Sequence, residues 1–170
     1  MSEKDSGQTA AINKGLRRAT GEVLNWLNSD DYYEPGALMK VGENFTDSTI
    51  KIVSGRGRLF SGDKTVGYTK GVDVHDGNLA KTIGLVRMDQ PETFFRRSVL
   101  DKVGYLDERL HYLMDRDWWL KYLLVSGTEG VRKINDVLVN FRLHETSKTQ
   151  TSWWSFFGEN NKLFYALAKQ

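Results

Sequence analysis

The stretch that most constrains this chain runs from Gly21 to Asp31, where a short apolar segment ends in two adjacent carboxylates, Asp30 and Asp31. The pattern predicts a buried strand through Leu27 that delivers acids to the edge of a sheet. Ligands of open α/β sheets bind just beyond the carboxyl ends of strands, so the pair would hold a divalent cation or orient a charged ligand. The alternative is a turn, because Asp favours turns and Pro35-Gly36 follows closely.

Composition limits the class of protein. The chain has 170 residues, of which 39% are hydrophobic and 27% charged, which is typical of one soluble globular domain. The first residues are polar, unlike a signal peptide, and no apolar run is long enough to span a bilayer. The chain has no cysteine, so a metal would need oxygen or imidazole ligands. A net charge of +2 gives little support for nucleic-acid binding.

Hydrophobic periodicity predicts a single α/β domain in which helices alternate with strands. Ser6 is a candidate helix N-cap, and the helix after it would feed the strand through Leu27 as half of a βαβ unit. The remaining predicted elements are a helix over 35–44, a β-hairpin over 50–60 and 65–69, an extended segment over 82–86, a short helix over 99–103, a helix over 115–125, a strand over 131–143 and a final aromatic helix over 152–169.

Three further places could carry chemistry. Asp115 and Asp117 begin the helix over 115–125, where carboxylates are also favoured by the helix macrodipole alone. The functional interpretation is a general base that faces the same cleft as Asp30. His144 follows an alternating strand and could complete an oxygen and nitrogen metal site, although a lone His is more often a surface residue. Arg96, Arg97 and Lys102 form a basic cluster for an acceptor phosphate or anionic lipid, or a solvated face.

Five segments in order resemble the family 2 glycosyltransferases of the GT-A fold. They are Ala11-Ile12-Asn13-Lys14-Gly15-Leu16; Ala19-Thr20-Gly21-Glu22 with Trp26-Leu27-Asn28-Ser29-Asp30-Asp31; Gln90 to Arg97 with Val103-Gly104-Tyr105-Leu106-Asp107-Glu108; Met114-Asp115-Arg116-Asp117-Trp118-Trp119-Leu120; and Phe141-Arg142-Leu143-His144. The resemblance implies an inverting enzyme with a nucleotide-sugar donor, a saccharide or lipid-linked acceptor, and a role in cell-envelope polysaccharide synthesis.

The resemblance also implies roles for individual residues. Asp30 would bind Mn²⁺ or Mg²⁺, with His144 as a further ligand. Asp115 would be the catalytic base, while Asn13, Lys14 and Asn28 would lie with Asp30 near the nucleotide. Asn28 stands where the family often has Asp, and Met114 where it often has Glu.

The family begins with a strand, a tight turn and a second strand that hold the nucleotide, and nothing before Gly7 resembles them. We therefore expect a truncated GT-A domain over residues 1–150, a mixed sheet flanked by helices, followed by the aromatic helix of residues 151–170. The strand that precedes Asn28 would have an open edge, which favours a homodimer. The activity of such a fragment is an open question, and a non-catalytic remnant that acts as a binding domain is the alternative.

The segment over 151–170 combines aromatic residues with lysines, so it would pack, bind a partner or lie at a membrane interface. We expect a cytoplasmic protein, with peripheral contact at the inner face of the membrane if this segment binds there. Nucleic acid is not an expected partner, because no basic stripe with interleaved aromatic residues supports it.

Overall fold

The computed structural model describes residues 4–75, 77–85, 87–143 and 159. They form five helices and six strands in an α/β arrangement. The helices are α1 (Gln8–Arg18), α2 (Ala37–Asn44), α3 (Leu79–Leu85), α4 (Arg97–Val103) and α5 (Met114–Ser126). The strands are β1 (Val23–Leu24), β2 (Tyr32–Tyr33), β3 (Ile52–Ser61), β4 (Lys64–Tyr68), β5 (Thr93–Arg96) and β6 (Val131–Arg142).

The strands form one mixed sheet in the order β1-β5-β3-β6-β2, with β4 paired to the second half of β3. Only the central pair, β3 and β6, is parallel, and it is the longest ladder of the sheet. All other pairs are antiparallel. The predicted mixed sheet with flanking helices is therefore confirmed, while its parallel component is smaller than a βαβ interpretation implies.

Two apolar layers cover the two faces of this sheet, because neighbouring residues of a strand point in opposite directions. On β3, Ile52 packs with Trp118, Trp119 and Leu123 of α5, whereas Val53 packs with α2 on the other face. Phe95 and Phe94 of β5 divide in the same way. The aromatic residues of α5 are thus the centre of the larger core.

Several predicted elements are confirmed, among them the hairpin, the helices α2 and α5 and the strand β6. The extended segment predicted over 82–86 is wrong, because Leu79–Leu85 is helical. Asn78 explains the difference: its side-chain oxygen accepts a hydrogen bond from the Lys81 N–H at 2.9 Å, which caps the helix. The predicted strand through Leu27 has ladder pairing only at Val23–Leu24. The strand Tyr32–Tyr33 was not predicted.

Two glycines allow β3 to run without interruption through a crowded part of the sheet. A Cβ at Gly55 would lie 2.6 Å from the Leu138 side chain, and one at Gly57 would lie 3.1 Å from Glu92 Oε2. These glycines let β6 and the Glu92 side chain approach the β3 backbone closely.

Candidate active site

A cavity of about 900 Å³ lies between the start of α5, the segment after β1 and the β3–β4 hairpin. Its wall carries titratable groups from three separate parts of the chain, at residue 73, over 87–92 and over 111–116. The carboxylates are Asp73, Asp89, Glu92 and Asp115, and the cationic or imidazole side chains are Arg87, Arg116 and His111. This concentration of titratable groups in one concave site is typical of an active site.

Asp115 lies in this wall, in the first turn of α5. Desolvation raises the pKa of its carboxyl group to about 6, and the negative charge of Asp89 acts in the same direction. The Arg116 N–H donates a hydrogen bond to Asp115 Oδ1 at 2.7 Å and opposes the shift. Asp117 lies two residues further along α5 and instead forms an ion pair with Lys121 at 2.6 Å. The two carboxylates of this helix therefore differ in their surroundings, and Asp115 is the one at the cavity.

Glu92 is a second carboxyl group in the wall, and it is fully buried. Burial raises its pKa to about 8, so the protonated form predominates at pH 7. The Thr69 hydroxyl donates to Glu92 Oε1 and accepts a hydrogen bond from the Gly57 N–H at 2.6 Å. Glu92 Oε2 has no hydrogen-bond partner among the described residues. Glu92 thus ties the hairpin to the start of β5 at the cavity.

The polar residues around Asp30 have two different roles. Asn28 lines the cavity, and its amide donates to Asp31 Oδ2 at 3.1 Å. Asp31 is buried and accepts the Arg142 N–H at 3.0 Å, so it fastens this segment to β6. Asp30 is half-buried and does not line the cavity that holds Asp115. We expected Asp30 and Asp115 to face one cleft. In the structure, Asn28 is the residue of this segment that lines the cavity with Asp115.

No group of three His, Asp or Glu side chains is placed to hold a metal ion within the part of the chain that the structure describes. His144 lies outside the described residues, so the ligand pair of Asp30 and His144 stays a prediction. A divalent cation in sugar-nucleotide chemistry needs few protein ligands, since phosphates and water complete its shell. Asp30 is half-buried and lies two residues after Asn28 of the cavity wall, and its role as a metal ligand stays a prediction.

Asn13 and Lys14 lie on α1, and neither lines the cavity that holds Asp115. The Asn13 side chain is buried and makes hydrogen bonds of 2.9 and 3.0 Å with the backbone of Leu106, and one of 3.0 Å with Glu108. Lys14 forms an ion pair with Asp5 at 2.6 Å. Their predicted proximity to a nucleotide stays a prediction, and Asn13 has a structural task, since it holds α1 against the loop before Leu110.

The basic cluster at the end of β5 is occupied by contacts within the domain. The Arg96 guanidinium donates to the Ile50 carbonyl at 2.8 Å and pairs with Glu22. Arg97 donates to the carbonyls of Ala19 and Gly21 at 2.6 and 2.7 Å. These bonds join β5 and the start of α4 to the segments before β1 and β3, and leave little donor capacity for an acceptor phosphate.

Sequence patterns alone did not identify Glu92, Asp89 or Thr69 as neighbours of Asp115. The one available signal was Glu92 itself, a carboxylate directly before the continuous apolar run Thr93-Phe94-Phe95. A charged residue at the start of a buried strand is seldom tolerated without a specific role.

Comparison with known proteins gives relatives for most of the chain. YwdF, an uncharacterized glycosyltransferase of Bacillus subtilis, is 29% identical over 128 residues, which cover 70% of this chain and 45% of YwdF. The minor teichoic acid biosynthesis protein GgaA of Bacillus subtilis is 24% identical over 161 residues, 91% of this chain and 36% of GgaA. The chain therefore spans about half or less of the length of these relatives.

The fold is shared with S. aureus TarS residues 1–349, solved in complex with UDP-GlcNAc. The TM-score is 0.66 at 15% sequence identity, over 90% of this chain and 44% of TarS 1–349. No described helix has the length and apolar character needed to cross a membrane.

The model of the family described as glycosyl transferase family 2 matches residues 1–104, more than half of the chain. That match includes the Asn28–Asp31 segment and the Glu92 strand, and the GT-A-like fold supports it independently. This chain belongs to glycosyl transferase family 2.

Proposed function

We propose that the domain transfers a sugar from a nucleoside diphosphate sugar to an acceptor hydroxyl, with Asp115 as the general base. The observation that carries this proposal is the position of Asp115 in the cavity wall with a pKa of about 6. A carboxylate with a pKa slightly below neutral is mostly ionised at pH 7 and still accepts a proton efficiently.

The chemistry assigned to this base is a single displacement. The acceptor oxygen attacks the anomeric carbon while its proton passes to Asp115. The new C–O bond forms on the face opposite the bond to the diphosphate, and that bond breaks with its electron pair on the diphosphate oxygen. Attack from the opposite face inverts the anomeric configuration.

Two neighbours support the choice of substrates. TarS has been solved with UDP-GlcNAc, which supports a uridine diphosphate sugar as donor. The name of GgaA refers to teichoic acid, which supports a saccharide or polyol hydroxyl of a cell-envelope polymer as acceptor. Both substrates are proposals, because the chain spans only part of these proteins.

We further propose that Asp30 binds Mn²⁺ or Mg²⁺, with His144 as a second ligand. A divalent cation, when bound, neutralises the charge that develops on the leaving diphosphate. Asn28, which lines the cavity and bonds to Asp31, would hold the Asp30 segment in register with the nucleotide.

Isothermal calorimetry with UDP and Mn²⁺ tests the metal site. We expect UDP binding that requires Mn²⁺ and is lost in Asp30→Ala, because one carboxylate supplies most of the protein's contact with the ion. Asp63→Ala, in the exposed hairpin turn, is the matched control and should bind as the unchanged protein does. Binding that is indifferent to Mn²⁺ or to Asp30 contradicts the metal site. UDP binding without any release of UDP from UDP-GlcNAc would support the binding-domain alternative.

A further inference from the structure

One face of the β3–β4–β6 region carries arginines stacked on aromatic rings. Leu59 of β3 lines the cavity, so Arg58 and Phe60, which alternate with it, lie on the other face of the strand. Ladder partners share a face, which adds Tyr68 opposite Arg58 and Arg142 opposite Phe60. We call the set of Tyr32, Arg56, Arg58, Phe60, Tyr68 and Arg142 the arginine–aromatic face.

The contacts within the arginine–aromatic face are specific. The Arg58 and Arg142 guanidinium carbons lie 5.3 and 5.1 Å from the centre of the Phe60 ring, and that of Arg56 lies 5.1 Å from the Tyr68 ring. Arg58 also donates to the Tyr32 hydroxyl at 3.1 Å and to the buried Asn140 side chain. Cation–π contacts and these hydrogen bonds fix the guanidinium planes in place before any ligand arrives.

The guanidinium groups of this face are not paired with any described carboxylate, although the buried Asp31 carboxylate accepts the backbone N–H of Arg142. Arg56, Arg58 and Arg142 form no ion pair with a carboxylate within the described part of the chain. Most other described arginines form such a pair, as seen for Arg17, Arg87, Arg96, Arg109 and Arg132. The hairpin adds Lys64 and Lys70, with Asp63 as its one carboxylate between residues 56 and 70.

The aromatic members remain accessible beside this charge. Tyr32 is 44% exposed and Tyr68 is 48% exposed, whereas Phe60, beneath two arginines, is 5% exposed. Exposed tyrosines next to ordered arginines are the composition of a binding surface rather than of a solvated face. Successive arginines of β3 are two residues apart, a spacing of roughly 7 Å along the strand, so the face presents a row of cations.

We propose that the arginine–aromatic face binds an extended phosphodiester-linked polyol chain, the acceptor polymer of this domain. Its phosphates lie against the guanidinium groups, and its carbon backbone lies on Tyr32 and Tyr68. This inference rests on the proposed function, because it identifies the acceptor class of the same enzyme. Tyr68 belongs to this face and also lines the cavity that holds Asp115, so the two surfaces meet at this residue.

The charge pattern distinguishes this ligand from a neutral glycan, which has no anionic group to bind three unpaired guanidinium groups. Guanidinium groups bind phosphate oxygens through charge-assisted hydrogen bonds that Gln cannot replace at equal strength. Binding through this face therefore weakens as salt is raised, and weakens further when its arginines are removed.

Fluorescence anisotropy with a labelled synthetic poly(glycerol phosphate) oligomer tests the proposal. The double variant Arg56→Gln/Arg142→Gln removes two cations whose guanidinium groups contact only aromatic rings or backbone on this face. We expect it to bind the oligomer about tenfold more weakly, because charge-assisted contacts are lost. Arg17→Gln/Arg109→Gln is the matched control, since it removes the same charge and the stacking of Arg17 on Tyr105 at 4.7 Å elsewhere. The control should bind as the unchanged protein does.

Other outcomes overturn the proposal. These are no binding of the oligomer, an equal loss in both double variants, or binding of an oligouridylate of matched charge at least as tight as that of the oligomer. Binding to phosphatidylglycerol vesicles without binding to the oligomer would identify a membrane surface instead. Mn²⁺-dependent UDP binding, measured on the same variants, separates this inference from the proposed function, because either can fail while the other holds.

Discussion

At the scale of single residues, the cavity contains carboxyl groups that burial affects to different degrees. Glu92 is fully buried and has a pKa of about 8, whereas Asp115 is half-buried, bonds to the Arg116 N–H and has a pKa of about 6. Asp89 raises both values through its negative charge. At neutral pH Glu92 is therefore mostly protonated and Asp115 mostly ionised, and the ionised form is the one that a general base needs.

The first prediction at this scale concerns Asp115→Asn. The amide cannot accept the acceptor proton, so kcat should fall by roughly 10²–10⁴-fold, the usual contribution of a general base. In the unchanged protein, kcat/KM should rise with pH through about 6 and then level, because the ionised carboxylate is the active form. Asp117→Asn, which removes the partner of Lys121, is the control. An unchanged pH limb in Asp115→Asn would contradict the assignment.

The second prediction concerns Glu92→Gln and protein stability. The folded pKa of about 8 exceeds the ordinary value of 4.5, so the folded state holds an extra proton between these pH values and the free energy of unfolding falls as pH rises through this window. Gln carries no such proton. The Tm of the variant minus that of the unchanged protein should therefore increase between pH 5 and 8. A change of about 1 kcal/mol in the free energy of unfolding corresponds to roughly 3 °C in Tm.

Differential scanning fluorimetry across this pH range checks the stability prediction. Glu43→Gln, at an exposed position on α2, is the control and should show a constant Tm difference. A constant difference for Glu92→Gln as well would show that Glu92 is already ionised in the folded protein at pH 7.

At the scale of secondary-structure elements, the start of α5 depends on a residue far away in sequence. Its N-cap residue, Leu113, makes no side-chain capping hydrogen bond. The Glu159 carboxylate instead accepts the backbone N–H groups of His111, Tyr112 and Leu113, each at 3.0 Å. Free N–H groups at a helix start favour a negative charge, so Glu159 stabilises the turn that carries Asp115.

Glu159→Ala should therefore destabilise the domain by about 1–2 kcal/mol, the cost of losing a helix cap. The stability of Glu159→Gln should lie between that of Glu159→Ala and that of the unchanged protein, because Gln keeps one acceptor oxygen without the charge. Thermal unfolding measures both variants, with Glu43→Ala as the control for the loss of a surface carboxylate. Equal Tm values for Glu159→Ala and the unchanged protein would mean that water or another group caps these N–H groups equally well.

Elements with a strong local signal could be predicted from sequence, and those fixed by tertiary contacts could not. The helix over 115–125 and the β-hairpin follow from local patterns of apolar and turn residues, and both are confirmed. Helix α3 was missed because its cap, Asn78, lies in a polar loop without a clear apolar period. Strand β2 was missed because Tyr32 and Tyr33 acquire strand pairing only from Asn140 and Val139, more than 100 residues away.

The same distinction applies to the site. Asp115 was predicted from a resemblance between short motifs, and the structure places it in the cavity wall. Glu92 and Thr69 are brought to that cavity by the pairing of β3 with β4 and β5, which no local pattern of residues specifies. Asp31, next to Asp30, accepts hydrogen bonds from the Asn28 amide and the Arg142 N–H, and these contacts also depend on residues far apart in sequence.

At the scale of the whole molecule, the sheet has a strand with a free side. β1 stands at the end of the strand order and pairs only with β5 among the described strands. The Arg97 N–H donates to the Glu22 carbonyl at 2.8 Å, so the polar groups of Glu22 face β5. Because these groups alternate along an antiparallel strand, the N–H and carbonyl of Val23 point away from the sheet. Such an edge is a template for pairing with a second chain.

The open edge predicts that the chain self-associates through antiparallel pairing of β1 with β1 of a second copy. Sedimentation velocity should show a sedimentation coefficient that rises with protein concentration. Val23→Pro removes the outward N–H and should suppress this rise while the β1–β5 hydrogen bonds remain. Val23→Thr keeps both the N–H and the β-branched shape, so it should associate as the unchanged protein does. If Val23→Pro and Val23→Thr associate equally, the contact between copies does not use the main chain of β1, and the free side of the sheet is not the dimer interface.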